Sequence, residues 1–101
     1  MNASLYLPNQ PPRVVPAAGL SLPSLAGYAQ VTDEGAAHLG CARDLVDVLD
    51  CGPDYVAYSV FDFEGPTNQA AMTALEAVSG NRYDIDDDDQ VLQGPVLLIT
   101  R

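Results

Sequence analysis

The stretch Asp54 to Phe63, DYVAYSVFDF, constrains the fold more than any other part of this sequence. Alternation puts Tyr55, Ala57, Phe61 and Phe63 on one face of a strand, and Val56, Tyr58 and Val60 on the other. Both faces are substantially apolar, so the strand belongs inside a sheet, where both sides are covered. A second apolar run, PVLLIT, closes the chain and predicts a final strand.

The N-terminal part reads differently. Five of the eight prolines fall within residues 1–23. SLYL is a short strand stopped by Pro8, and RVV is another stopped by Pro16. Proline donates no backbone N–H, so these segments are expected at sheet edges or in irregular chain. GYAQVT, Gly27 to Thr32, alternates enough for a third short strand. The 101 residues suffice for a single domain with one modest core. Residues 1–27 form its proline-rich extended segment, and 28–101 its acidic body.

Two helices are expected in that body. Thr32 reads as an N-cap, followed by Asp33 and Glu34 where the helix dipole favours anions. Ala37, Cys41, Leu45 and Val48 or Leu49 recur at three- and four-residue spacing, which predicts one helix over 33–50, ended by Gly52 and Pro53. Gly35 and Gly40 each weaken it by about 1 kcal/mol relative to alanine. The second helix starts at Pro66 or Thr67, turns Ala71, Leu75 and Val78 inward, and stops at Gly80. The fold class is therefore α+β: a mainly antiparallel sheet with two helices packed on one face. The expected core is Leu45, Val48, Leu49, Val56, Val60, Phe61, Leu75, Leu97 and Ile99.

Charge is the outlier of the composition. Fourteen acids face four bases, all arginine, and lysine is absent; the net charge is −10. Every acid lies at or after Asp33, so residues 33–101 sum to −11 and residues 1–32 to +1. Such a field repels nucleic acid and attracts basic protein surfaces. No apolar stretch approaches 18 residues, and the N-terminus lacks the pattern of a secretory signal, so a cytoplasmic setting is expected.

The motifs that carry chemistry are missing or incomplete. An EF-hand loop begun at Asp84 would place Asp89 where the turn needs glycine and Pro95 where a bidentate glutamate belongs. His38 and Cys41 sit at i,i+3, but no orienting group or oxyanion site accompanies them. Cys41 and Cys51, ten residues apart on one helix, would stand about 15 Å apart, too far for a disulfide, and read as small buried hydrophobes. No catalytic activity, metal or cofactor is expected.

Acid placed with some geometry remains. Asp44, Asp47 and Asp50 recur every third residue, a rise of about 4.5 Å per step on the exposed side of the expected helix. The phosphates of one DNA strand advance about 3.4 Å per nucleotide. Asp84, Asp86, Asp87, Asp88 and Asp89 add a denser acidic loop before the last strand. These carboxylates are the expected contacts to a basic protein surface. In size, acidity and absence of lysine the chain resembles the phage and plasmid proteins that inhibit bacterial defence by mimicking DNA, anti-CRISPR and antirestriction proteins among them. That resemblance implies a partner that binds DNA, such as a CRISPR interference complex or a restriction enzyme, in the bacterial cytoplasm. The other reading is an acidic subunit, antitoxin or immunity protein. Its contact would centre on Tyr58, Phe61 or Phe63, with charge at the rim.

Overall fold

The computed structural model describes residues 1–22, 30–61, 65–80 and 92–101. Along the chain these form β1 (Asn2–Tyr6), β2 (Arg13–Val15), α1 (Asp33–Leu39), β3 (Val46–Cys51), β4 (Tyr55–Val60), α2 (Gln69–Ser79) and β5 (Val96–Thr100), with a 3-10 turn at Arg43–Leu45. The strands make one antiparallel sheet in the order β2-β1-β5-β4-β3. The fold is α+β, as expected, and β4 lies inside the sheet between β5 and β3.

The sheet is covered on both sides. Successive residues of a strand face opposite ways. Val56 and Tyr58 of β4, with Leu97 and Ile99 of β5, belong to one cluster with Ala3, Leu5, Val15, Leu20, Val31 and Leu39 of α1. Ala57, Val96 and Leu98 belong to another, with Ala71, Met72 and Leu75 of α2. The two helices thus sit on opposite faces, not on one. The cause is legible in β4 and β5 themselves: both are apolar on both sides, and a single helical layer would leave one side wet. Full burial of a side chain such as Leu75 or Leu97 is worth about 1.5–3 kcal/mol, and both are completely buried.

The expected helix over 33–50 is a helix and a strand. Thr32 caps α1, its hydroxyl accepting from the Gly35 N–H at 3.2 Å. Gly40 then takes the left-handed conformation, φ 75°, and its N–H turns back to the carbonyls of Ala36 and Ala37. A glycine there ends a helix at little steric cost. Beyond the 3-10 turn, VDVLDC pairs with β4 as an edge strand, with a bulge between Val48 and Asp50. Gly52 and Pro53 close the β3–β4 hairpin. Gly52 donates to the Tyr55 carbonyl at 2.9 Å, and a Cβ at Gly52 would overlap the Tyr55 ring.

The N-terminal strands also differ from expectation. Of these two, β2 is an edge strand and β1 lies between β2 and β5. Pro8 follows the end of β1 and removes no ladder hydrogen bond from it. Residues 30–32 of the third expected strand are not strand, and residues 23–29 lie outside the described residues. The second helix starts at Gln69, later than Pro66 or Thr67, and stops at Gly80; it buries Ala71, Met72 and Leu75 and leaves Val78 exposed. No helix among the described residues is long and apolar enough to cross a membrane.

Asn68, which caps α2, joins three elements. Its amide donates to the carbonyls of Tyr6 (2.8 Å) and Gly94 (2.7 Å), and its side-chain oxygen accepts from the Ala71 N–H at 3.3 Å. Its backbone N–H donates to Leu92 at 2.7 Å. At 1% exposure, none of these can be exchanged for bulk water.

Two stability predictions follow from this packing. Of the expected core, Val56, Leu75, Leu97 and Ile99 are buried, Leu49 and Val60 are half-buried, and Leu45, Val48 and Phe61 are exposed. Strand β4 ends at Val60, and Phe61, just beyond it, is 61% exposed. Leu97→Ala should cost about 2–5 kcal/mol in chemical denaturation, and Phe61→Ala less than about 1 kcal/mol. Equal losses would place Phe61 in the core. Asn68→Ala should cost about 2–3 kcal/mol, since it strips both the cap and two buried carbonyls. Asn68→Asp should cost at least as much, because a carboxylate keeps the cap but cannot donate. Wild-type stability in that variant would show that only the cap matters.

Candidate functional site

The aspartates expected on one helical face are dispersed by the strand. Asp44 sits in the 3-10 turn and is exposed. Asp47 is exposed on β3 opposite Ser59, and Asp50 follows the bulge opposite Ala57. Extended chain rises about 3.3 Å per residue, so a step of three residues covers about 10 Å, not the 4.5 Å of a helix. Asp47 and Asp50 share the α2 face of the sheet with their partners, while Asp44 lines a cavity with Val46, Val48 and Tyr58 on the α1 face.

Asp50 is also occupied within the fold. One carboxylate oxygen accepts from the Cys51 N–H at 2.9 Å and the other from the Tyr55 hydroxyl at 2.8 Å. It secures the β3–β4 hairpin, which leaves Asp44 and Asp47 as the exposed members of the set. Asp84, Asp86, Asp87, Asp88 and Asp89 lie outside the described residues.

The end of β3 presents a different feature. The Phe61 N–H donates to the Leu45 carbonyl at 2.6 Å, which roots the two residues side by side. Their side chains are 61% and 48% exposed. Val48, three residues further along, is also exposed. Asp44 precedes Leu45 and Asp47 follows Val46, so this apolar pair is flanked by carboxylates. Two large apolar residues side by side differ from the single exposed hydrophobes found on any surface.

A cleft lies on the α1 side of the same strand. A cavity of about 510 Å³ is lined by residues including Gln30, Thr32, Asp33, Glu34, Arg43 and Tyr58. A neighbouring one of about 270 Å³ is lined by Gln30, Val31, Arg43, Asp44, Val46, Val48 and Tyr58. Arg43 reaches Asp33 at 3.4 Å, and Arg101 reaches Asp54 at 3.3 Å. Both pairs are solvent-exposed, of the kind worth about 0–1 kcal/mol.

Cys41 and Cys51 are free thiols, half-buried against the α1-face cluster, as small hydrophobes would be, although not on a common helix. Among the described residues no three His, Cys, Asp or Glu side chains gather in a way that could hold a metal ion. No family model, curated protein or solved structure matches the chain.

Tyr58 is 2% exposed. Burial pushes its hydroxyl above the ordinary value of 10.0, and the charge of Cys51 adds to the rise. The hydroxyl is therefore neutral across the physiological range. The raised value also ties stability to alkaline pH. The folded state holds the proton more tightly, so the contribution is fully present below pH 10.0 and is lost as pH rises from there through the folded value. Denaturation midpoints measured at pH 8 and at pH 11 should fall less in Tyr58→Phe than in the wild type. An equal fall would locate the alkaline sensitivity elsewhere.

Proposed function

We propose that this protein acts by binding a basic protein surface, with the Leu45–Phe61 pair as the apolar centre of the contact and Asp44 and Asp47 at its rim, and that it is not an enzyme. The observation that carries this reading is Phe61: a large aromatic, mostly exposed, beside a second exposed apolar residue, on a chain of net charge −10. Aromatic anchors ringed by polar groups are the usual energetic centre of protein interfaces. The surrounding charge chooses a cationic partner and repels an acidic one.

A narrower form of this reading is DNA mimicry. The net charge and the absence of lysine favour it. In that form the partner's surface is one that binds DNA, Asp44, Asp47 and the run Asp84–Asp89 stand in for phosphates, and the protein inhibits a bacterial defence system in the manner of anti-CRISPR or antirestriction proteins. The dispersal of Asp44, Asp47 and Asp50 weighs toward the broader form, in which the apolar pair supplies the anchor.

The test starts from a partner captured from a bacterial lysate freed of nucleic acid. Phe61→Asp should weaken that complex more than about tenfold, as loss of an interface anchor does. Val78→Asp, on an exposed position of α2, should leave it unchanged. Affinity should fall as salt rises. A complex indifferent to Phe61→Asp overturns the reading. Duplex DNA titrated against the complex separates its two forms: DNA that displaces the protein supports mimicry, and DNA that binds the partner at the same time excludes it.

A further inference from the structure

The two cavities beside Tyr58 share Gln30, Val31, Arg43 and Tyr58, so they form one continuous cleft along the α1 side of β3. Val31 and Tyr58 line both cavities, and Val46 and Val48 line the second. Every buried side-chain N or O atom among the described residues has a hydrogen-bond partner. Tyr58 lines both cavities, and its hydroxyl makes none of the hydrogen bonds found among those residues. Asp33, Glu34 and Asp44 stand around the cleft against Arg43, which is already paired with Asp33. The lining is therefore net negative.

Valine side chains, the neutral Tyr58 oxygen and the carboxylates along this cleft suit a guanidinium group. Its plane packs on apolar surface, its N–H groups reach the hydroxyl oxygen, and its charge faces Asp44. We infer that this cleft receives one arginine side chain of the basic partner. The inference rests on the basic-partner reading and deepens it by naming the group that enters the cleft on the α1 side of β3. Arginine is favoured over lysine because the guanidinium is more weakly hydrated and presents a fork of donors, whereas the compact ammonium loses more hydration on entry. A second copy of the same chain is disfavoured as the source by the charge of −10 on each.

The probe is N-acetyl-arginine amide, with N-acetyl-citrulline amide as its neutral isostere, titrated at low salt into the full chain and followed by backbone amide NMR. Saturable shifts are expected at Val31, Val46, Val48 and Tyr58 with the arginine derivative, and much weaker ones with the citrulline derivative. Asp44→Asn and Tyr58→Phe should each weaken binding about two- to fivefold, the scale of one partly exposed polar contact. Val78→Asp, on the α2 side of the sheet, should leave it unchanged. Shifts that are absent, equal for the two probes, or scattered over the acidic residues without saturation overturn the inference. If the probe fails while Phe61→Asp still abolishes partner binding, the cleft inference falls and the interface reading stands. If the probe binds in the cleft while the captured partner is indifferent to Phe61→Asp, the interface reading falls, and with it the partner as source of the arginine.

Discussion

The side chain of Asn68 is the junction on which the arrangement of layers depends. Strand β1 comes from the start of the chain, β5 from its end, and α2 must lie across the sheet between them. One buried amide satisfies a carbonyl at the end of β1, a carbonyl just before β5 and the first turn of α2. Backbone bonds from Asn68 to Leu92 and from Gly94 to Pro66 hold the two approaches together. Because the interior offers no competing water, an unfilled bond at this point costs the full desolvation of the group left behind. The apolar clusters supply most of the stabilisation, but they are not directional; the amide specifies how α2 meets β1 and β5.

The sheet's two edges are protected by different means. Strand β2 is three residues long, preceded by Pro11 and Pro12 and followed by Pro16, so it offers a partner little ladder to extend. Strand β3 is longer, and its backbone is partly engaged. The Val46 N–H turns back to the Arg43 carbonyl, the Cys51 N–H is taken by Asp50, and a bulge breaks the register between Val48 and Asp50. Asp50, which by sequence spacing belonged with two other aspartates in a binding stripe, is therefore a structural residue that blunts an edge.

Much of the fold was legible because local chemistry and tertiary demand agreed. Prolines bounded β2, Thr32 capped α1, Gly80 stopped α2, and the two-sided apolar pattern of β4 placed it inside the sheet. The error over 40–51 came from two competing periods. Ala37, Cys41, Leu45 and Val48 fit a helical stripe, but VDVLD also alternates, and Gly40 reads either as a weak helix interior or as a helix stop. Pairing with β4 decides between these, and that contact is not local. Asn68 escaped sequence reading for a similar reason: its amide partners lie 62 and 26 residues away. The exposure of Phe61 escaped it because alternation assigns a face and says nothing of where the covering layer ends. The non-mimic reading of the sequence includes Phe61 in its contact set, and the 3-10 turn at Arg43–Leu45 is what brings Leu45 beside it.

These features together restrict how a partner can engage. Strand addition at β3 would find its N–H groups partly taken, so recognition through main-chain hydrogen bonds is poorly served. The side chains there are better placed: Leu45 and Phe61 at one end, Val48 beside the cleft, and Asp44 and Asp47 between and around them. Net charge supplies long-range attraction and speeds encounter with a basic surface, and it fades with salt. The apolar pair contributes after contact, when water leaves it, and this part is far less sensitive to salt. A partner bound by both would lose association rate with added salt before it lost residence time. A surface of carboxylates alone would lose both together. On the proposed reading, the placement of Phe61 outside the core is what separates an acidic protein with an interface from one that is only acidic.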